Sequence, residues 1–199
     1  MAAIGMKYLV GAPWAAPEEQ VEGQLPKYGS GLKIGRAISS DVTLTRNDGE
    51  IYADDVLAES EDSITGGTVD MTVAEVLDEV AMVIFGEEKD EETGDIYDSS
   101  SASPFIGFGY MREMMYKGAS SFHCVWYFKA QLEQANESAQ TRGENVAFQT
   151  QRMTGKIMGV TLSNGKTRFR ARHTFKTSAE GIAWLNKKAN YTETAATEQ

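Results

Sequence analysis

Few side chains in this sequence are spaced for chemistry. The two histidines are His123 and His173, and the one cysteine is Cys124. His123 adjoins Cys124, but neighbouring residues of a strand point to opposite faces, so the pair does not make a nucleophile and its base. Cys124 reads as a small buried hydrophobe. His173 sits between Ala171 and Phe175 and reads as a satisfied buried histidine. One Cys and two His give no zinc spacing. A calcium loop starting at Asp90 would need Gly at position 95 and Glu at 101, where the chain has Asp95 and Ser101. Gly107-Phe108-Gly109 precedes no helix and lacks the third glycine of a phosphate loop. Carboxylates are plentiful, as in any acidic chain, and point to no particular enzyme. No catalytic residue, cofactor or metal site is predicted.

Arg168, Arg170 and Arg172 are spaced by two, which puts them on one face of a strand. No aromatic residue interleaves on that face for base stacking. They read as inter-subunit or internal ion-pairing groups, or as a solvated face.

Composition narrows the field further. The 199 residues are 41% apolar with a net charge of −10, an ordinary globular composition that does not suit gripping a phosphate backbone. Residues 1–98 carry 22 acidic and 6 basic side chains, and residues 99–199 carry 7 and 13, so the halves are −16 and +6. Chance and solubility explain such a split; so does a head-to-tail contact of acidic and basic patches on successive copies. No apolar run approaches a membrane span, and the start lacks the layout of a signal peptide.

The elements that position these residues centre on 50–86. Ile51 to Asp62 is an acidic run with apolar residues mixed in. Thr68, Asp70 and Thr72 alternate with Val69, Met71 and Val73, which predicts a half-buried strand. It turns into a helix with Thr72 and Glu75 at capping-box spacing. Glu75, Asp78 and Glu79 fall early in that helix, and Val76, Leu77, Val80, Val83 and Ile84 form its apolar stripe. Gly86 supplies a left-handed stop.

Upstream, Ile4–Val10 predicts an edge strand, and 11–31 a loop holding three of the four prolines. Leu32, Ile34, Ile38, Val42 and Leu44 predict one long strand, with Arg36 and Ser40 interrupting its apolar face so that its ends can pack apart. Asn47-Asp48-Gly49 is a turn signal, with Ile51–Ala53 running back and a polar hairpin tip at about 45–55. Downstream, 87–95 reads as a solvated acidic loop. Residues 104–132 predict two antiparallel strands turning at Lys117-Gly118. Phe122, Cys124, Trp126 and Phe128 share one face and Val125 and Tyr127 the other, so that strand is central or lies in a subunit interface. Residues 133–145 read as a polar loop and 146–162 as a strand broken at Gly155 or Gly159. Asn164-Gly165 predicts a two-residue turn with both φ positive. The return strand puts Phe169, Ala171, His173 and Phe175 opposite the arginines. Thr177 or Ser178 caps a final helix, with Ile182 and Leu185 inward and Trp184 flanking. Residues 191–199 read as a flexible tail. About seven strands and two helices give a mainly β (α+β) fold: an antiparallel β-sandwich or open barrel flanked by one or two helices, as a single domain over 1–190.

Several short stretches, in this order and spacing, carry a resemblance. They are Gly35-Arg36-Ala37-Ile38-Ser39, Tyr52-Ala53-Asp54-Asp55, Ala58-Glu59-Ser60, Thr65-Gly66-Gly67-Thr68, Leu77-Asp78-Glu79-Val80 with Gly86, Ser103-Pro104-Phe105-Ile106-Gly107-Phe108-Gly109, and Thr141-Arg142-Gly143-Glu144-Asn145-Val146-Ala147-Phe148-Gln149. Over about residues 4–188 the chain resembles the major tail proteins of long, flexible-tailed bacteriophages of Gram-positive hosts. The resemblance implies a virion structural protein, made in the host cytoplasm. Its hexameric rings would stack into a tail tube that conducts DNA, with tape-measure, tail-tip or baseplate and terminator proteins as partners. DNA would be only passing cargo, and no membrane is implied. It also implies that the 45–62 projection orders on a neighbouring ring, with Arg46, Asp48, Ile51, Tyr52, Asp54, Asp55 and Val56 as stacking residues. Lumen candidates are Asp41, Thr43, Asp70 and Thr72. A soluble acidic β-rich binding module, or the tube of a contractile injection particle, are the alternative readings.

Overall fold

A computed structural model describes residues 2–53, 56–98, 102–116, 118–134 and 150–192, with the backbone alone at 2–4, 17, 48–53 and 56–62. The described strands are β1 (Ala2–Pro13), β2 (Leu32–Gly35), β3 (Ala37–Ala53), β4 (Val56–Val73), β5 (Glu88–Lys89), β6 (Ile96–Tyr97), β7 (Ile106–Tyr116), β8 (Ala119–Gln134), β9 (Gln151–Met158), β10 (Val160–Thr161), β11 (Thr167–Arg168) and β12 (Arg170–Phe175). Helix α1 (Asp78–Val80) continues as a π-helical turn, Ala81–Phe85, and α2 spans Ser178–Ala189. The chain is mainly β. One eight-stranded antiparallel sheet runs β2-β1-β7-β8-β9-β4-β3, with β12 also paired to β8; β5-β6 and β10-β11 form two small ribbons.

The sheet curls around one apolar cluster. Val69, Met71 and Val73 of β4 meet Met153 and Ile157 of β9, Phe108 and Tyr110 of β7, Val125 and Tyr127 of β8, Leu9 of β1 and Ile34 of β2. Val80, Ile84 and Phe85 of the first helical segment fill the same space. Each such buried side chain contributes about 1.5–3 kcal/mol. A second cluster lies on the other side of β1, β7 and β8, where Leu185 and Ala189 of α2 cover Val10, Met111, Cys124, Trp126 and Phe128. Strand β8 is therefore buried on both faces, which is why Phe122–Phe128 is apolar throughout. Gly107 belongs to this packing, since a Cβ there would fall 2.5 Å from the Tyr28 ring and 2.6 Å from the Trp126 ring. The predicted face pairing in β8 and the two-strand reading of 104–132 hold.

Several local expectations are overturned. β1 is no edge strand; it lies between β2 and β7, tied at its middle by Lys7 Nζ donating to Glu113 Oε2 at 2.7 Å. The long strand expected over 32–44 is two strands on opposite edges of the sheet, parted at Arg36, as the interrupted apolar face allowed. Register shifts between Ala37↔Val73 and Ser39↔Thr72, so Ile38 is an extra residue, and this bulge turns it out to 53% exposure. Val42 then packs inward as expected. Asn47-Asp48-Gly49 makes no turn: all three pair with Ser63, Asp62 and Glu61, and the ribbon closes between Ala53 and Val56. A long ladder already paired through Thr45 extends past the local turn signal.

The Thr72–Glu75 capping box does not form. Thr72 remains in the sheet opposite Ser39 and Arg152, and Glu75 instead accepts from Arg36 Nε at 3.2 Å. The helix starts at Asp78, so Leu77 is its N-terminal cap and is 60% exposed rather than inward. Gly86 does stop it at φ +77°. Within 87–95, Asp90 Oδ1 accepts from the backbone of Glu92 and Thr93, turning β5 into β6. β9 breaks at Gly159. The following turn is not the type with two positive φ angles. Gly165 is at φ +75° while Asn164 is not left-handed; its Oδ1 accepts from Lys166 N at 3.1 Å. Thr177 caps α2 in a complete box with Glu180. Tyr191 packs on the α2 cluster, so the chain stays ordered slightly beyond 190. The stretch 141–149 that carries part of the resemblance lies outside the described residues.

Candidate functional site

The sheet's outward polar face is the first candidate. Asp41 is opposite Asp70, Thr43 opposite Thr68, and Ser39 opposite Thr72 across β3 and β4. β9 continues these rows, with Thr154 opposite Asp70, Lys156 opposite Thr68 and Arg152 opposite Thr72; Glu133 of β8 lies beyond Thr154. Antiparallel register thus brings all four lumen candidates, Asp41, Thr43, Asp70 and Thr72, onto one face. Asp41, Thr43 and Asp70, but not Thr72, border a shallow depression of about 420 Å³ lined also by Thr154, Lys156 and Glu133.

Two carboxylates directly opposite one another repel. Here Arg152 intervenes: its Nε donates to Asp70 Oδ1 at 2.8 Å and Oδ2 at 2.9 Å, and its Nη2 also bonds Asp70 Oδ2. The hydrogen bonds from Arg152 hold the Asp70 carboxyl below its usual range. The face carries Asp41, Asp70 and Glu133 against Arg152 and Lys156. Its net charge is −1, hydroxyl-rich rather than strongly acidic. The cationic side of this face was missed from sequence. Its signal was there, because Arg152, Thr154 and Lys156 alternate with Met153, Gly155 and Ile157.

The second candidate is the ribbon. β4 pairs with β9 only over Gly67–Val73, so β3 and β4 from Thr45 and Gly66 outward pair with each other alone. At about 3.3 Å per residue that is a projection of roughly 25–30 Å. A bulge at its root is marked by Thr65 Oγ1 donating to Thr45 O at 3.3 Å. Arg46 is exposed on it. The backbones of Asp48, Ile51, Tyr52 and Val56 lie along it, with Ile51 opposite Glu59 and Tyr52 opposite Leu57. The side chains of these four, and Asp54 and Asp55 altogether, lie outside the described residues.

The arginines divide. Arg168 lies on β11 opposite Val160, whereas Arg170 and Arg172 lie on β12 opposite Tyr127 and Val125 of β8. Among the described residues none of the three has a carboxylate within ion-pairing distance. Arg112 of β7 and His123 of β8, opposite each other, join Arg170 and Arg172 on the same face. Burial first, then the charges of Arg112, Arg172 and Arg170, holds the His123 imidazole below its ordinary pKa. Arg112 Nε and His123 Nδ1 are buried without a hydrogen-bond partner, each at a cost of about 1–3 kcal/mol.

His123 and Cys124 do point to opposite faces, Cys124 into the α2 cluster. Burial pushes its thiol up to about 11. His173 is not buried: it is exposed, with its ring centroid 4.3 Å from Phe175 and 6.4 Å from Trp184. Its strand forms a sheet edge, so that face meets solvent beside α2. Among the described residues no group of His, Cys, Asp and Glu is placed to hold a metal ion, and no helix is long and apolar enough to cross a membrane. The sequence matches no protein-family model, and no curated protein matches it significantly.

Proposed function

We propose that this chain is a structural subunit of a long bacteriophage tail tube, self-assembling into stacked hexameric rings that conduct DNA. The observation that carries the reading is the β3–β4 ribbon. Its two strands of 17 and 18 residues outrun the sheet that supports them. An isolated two-stranded ribbon is marginal in water, so one this long is suited to a second surface. The resemblance of the sequence to tail-tube subunits supports the same reading.

Three physical parts make up the mechanism. The outer edges of β3, β2 and β12, unpaired among the described residues, offer backbone groups for lateral closure of a ring. The ribbon reaches the next ring, with Ile51, Tyr52 and Val56 as anchors and Arg46, Asp48, Asp54 and Asp55 as its charged rim. The face of Asp41, Thr43, Asp70 and Thr72 lines the lumen. With a net charge of −1 it neither grips nor strongly repels DNA. Hydrated hydroxyls and carboxylates near the passing strand keep the contact transient, and screening over about 8 Å removes longer-range effects.

Negative-stain microscopy beside sedimentation at rising concentration, with and without a tail-tip complex to nucleate growth, tests the reading. Rings or hollow tubes are expected. A monomer under every condition would overturn it in favour of a soluble binding module. Tubes that bind a contractile sheath would move it to an injection particle.

A further inference from the structure

Two patches of opposite charge lack a counter-ion across from them among the described residues. The basic one is the face of Arg112, His123, Arg170 and Arg172, floored by buried Tyr110, Val125 and Tyr127. It holds two buried polar atoms without partners, Arg112 Nε and His123 Nδ1. No carboxylate lies within ion-pairing distance of Arg112, Arg170 or Arg172 among the described residues. The acidic one is the β5–β6 hairpin and its flanks. Residues 87–98 carry seven carboxylates and one lysine, a net −6. At its base Glu87 is raised above the ordinary carboxylate range by burial and by the charges of Asp98 and Asp78.

We propose that the Arg112–His123–Arg170–Arg172 face is an interaction surface that receives the acidic 87–98 segment of a second copy of this chain. Guanidinium groups bind carboxylates through paired N–H donors, and a half-buried floor strengthens such bonds by excluding water. The incoming carboxylates give the orphaned Arg112 Nε an acceptor. They also offset the guanidinium charges that disfavour an imidazolium at His123, whose Nδ1–H then donates. The groups facing His123 are Arg112 from β7 and Arg170, Arg172 and Thr174 from β12. Donor and acceptor patches differ, so the contact is head-to-tail, the type that closes into a ring or continues as a line. It rests on the assembly reading only for the presence of a second copy.

The test uses the full-length chain and a synthetic peptide of residues 87–98. The ring resonance of His123, distinguished from His173 with a His173→Gln variant, is titrated by NMR with and without peptide. The expected result is a His123 pKa that rises on binding. An Arg170→Gln/Arg172→Gln double variant with unchanged Tm should bind at least about tenfold more weakly. A peptide with its carboxylates replaced by amides should not bind. An unmoved His123 titration at saturating peptide, or undiminished binding by the double variant, overturns the proposal. Inorganic phosphate shifting His123 where the peptide does not would also overturn it and assign a free-anion site. A chain that binds the peptide but never forms rings or tubes sinks the tube reading alone. Tubes without peptide binding sink this one alone.

Discussion

Asp70 shows how one side chain ties the polar face together. Its carboxyl faces Asp41 of β3 across one ladder and is held by Arg152 of β9, the strand paired on the other side of β4. Its folded pKa is lowered, so its contribution is fully present above the unfolded value of about 3.9. That contribution fades as pH falls through the folded value. Urea unfolding of Asp70→Asn against the parent should therefore show a small deficit at neutral pH that closes in acid and shrinks with salt, as expected for a partly exposed pair. A deficit unchanged by pH would mean that packing, not charge, is responsible. Cys124 obeys the opposite sign. Its thiol pKa is raised to about 11 by burial, so the folded state keeps the thiol protonated where the unfolded state has begun to ionise. Its contribution is whole below the unfolded value of about 8.5 and is lost as pH climbs towards 11. At neutral pH a thiol-reactive dye should label the native chain far more slowly than the urea-unfolded chain; equal rates would contradict its burial. Both roles were half legible. The apolar neighbours of Cys124 announced its burial, whereas Arg152 and Asp70 are 82 residues apart in sequence, and only register could join them.

At the scale of elements, α2 was readable because its signals are local. Thr177 Oγ1 accepts from Glu180 N and Glu180 Oε2 from Thr177 N, and Lys187 and Lys188 sit at its negative end. Thr177→Ala should cost about 1 kcal/mol in urea unfolding, and no loss would show that tertiary packing of Leu185 and Ala189 alone holds the helix. The first helix misled for the converse reason. Thr72 and Glu75 have the same spacing, but Thr72 is held in the ladder between β3 and β9 and Glu75 is drawn to Arg36. A local capping preference of about 1 kcal/mol does not outweigh a ladder paired on both sides. Ile38 was misplaced likewise, because a bulge shifts the period of two without any residue announcing it.

At the scale of the molecule, the mainly antiparallel β architecture was legible from alternation and from the apolar run at 122–128. The curl of the sheet was not, since it depends on β1 pairing with residues about a hundred positions away. Assembly belongs to this scale too. Tyr52→Ala and Asp54→Lys each alter a residue proposed to stack one ring on the next. Each should leave the circular dichroism spectrum unchanged and the unfolding free energy within about 0.5 kcal/mol of the parent while reducing tube length in micrographs. Undiminished tubes in both would remove the ribbon from ring stacking.

The placement of β1 has a consequence for how the chain is made. Ala2 pairs with Met115 and Pro13 with Ile106, so β1 leaves the ribosome about a hundred residues before its main partner. β3 and β4, joined through neighbours in sequence, zip early, since short loops close at low entropic cost. Until β7 emerges, Leu9 and Val10 lack their paired strand, and Val10 waits longer still for α2 to cover it. Arrested nascent chains ending before and after residue 134 should divide sharply in protease resistance at β1. The hazard for this protein lies in the seconds before β1 is captured.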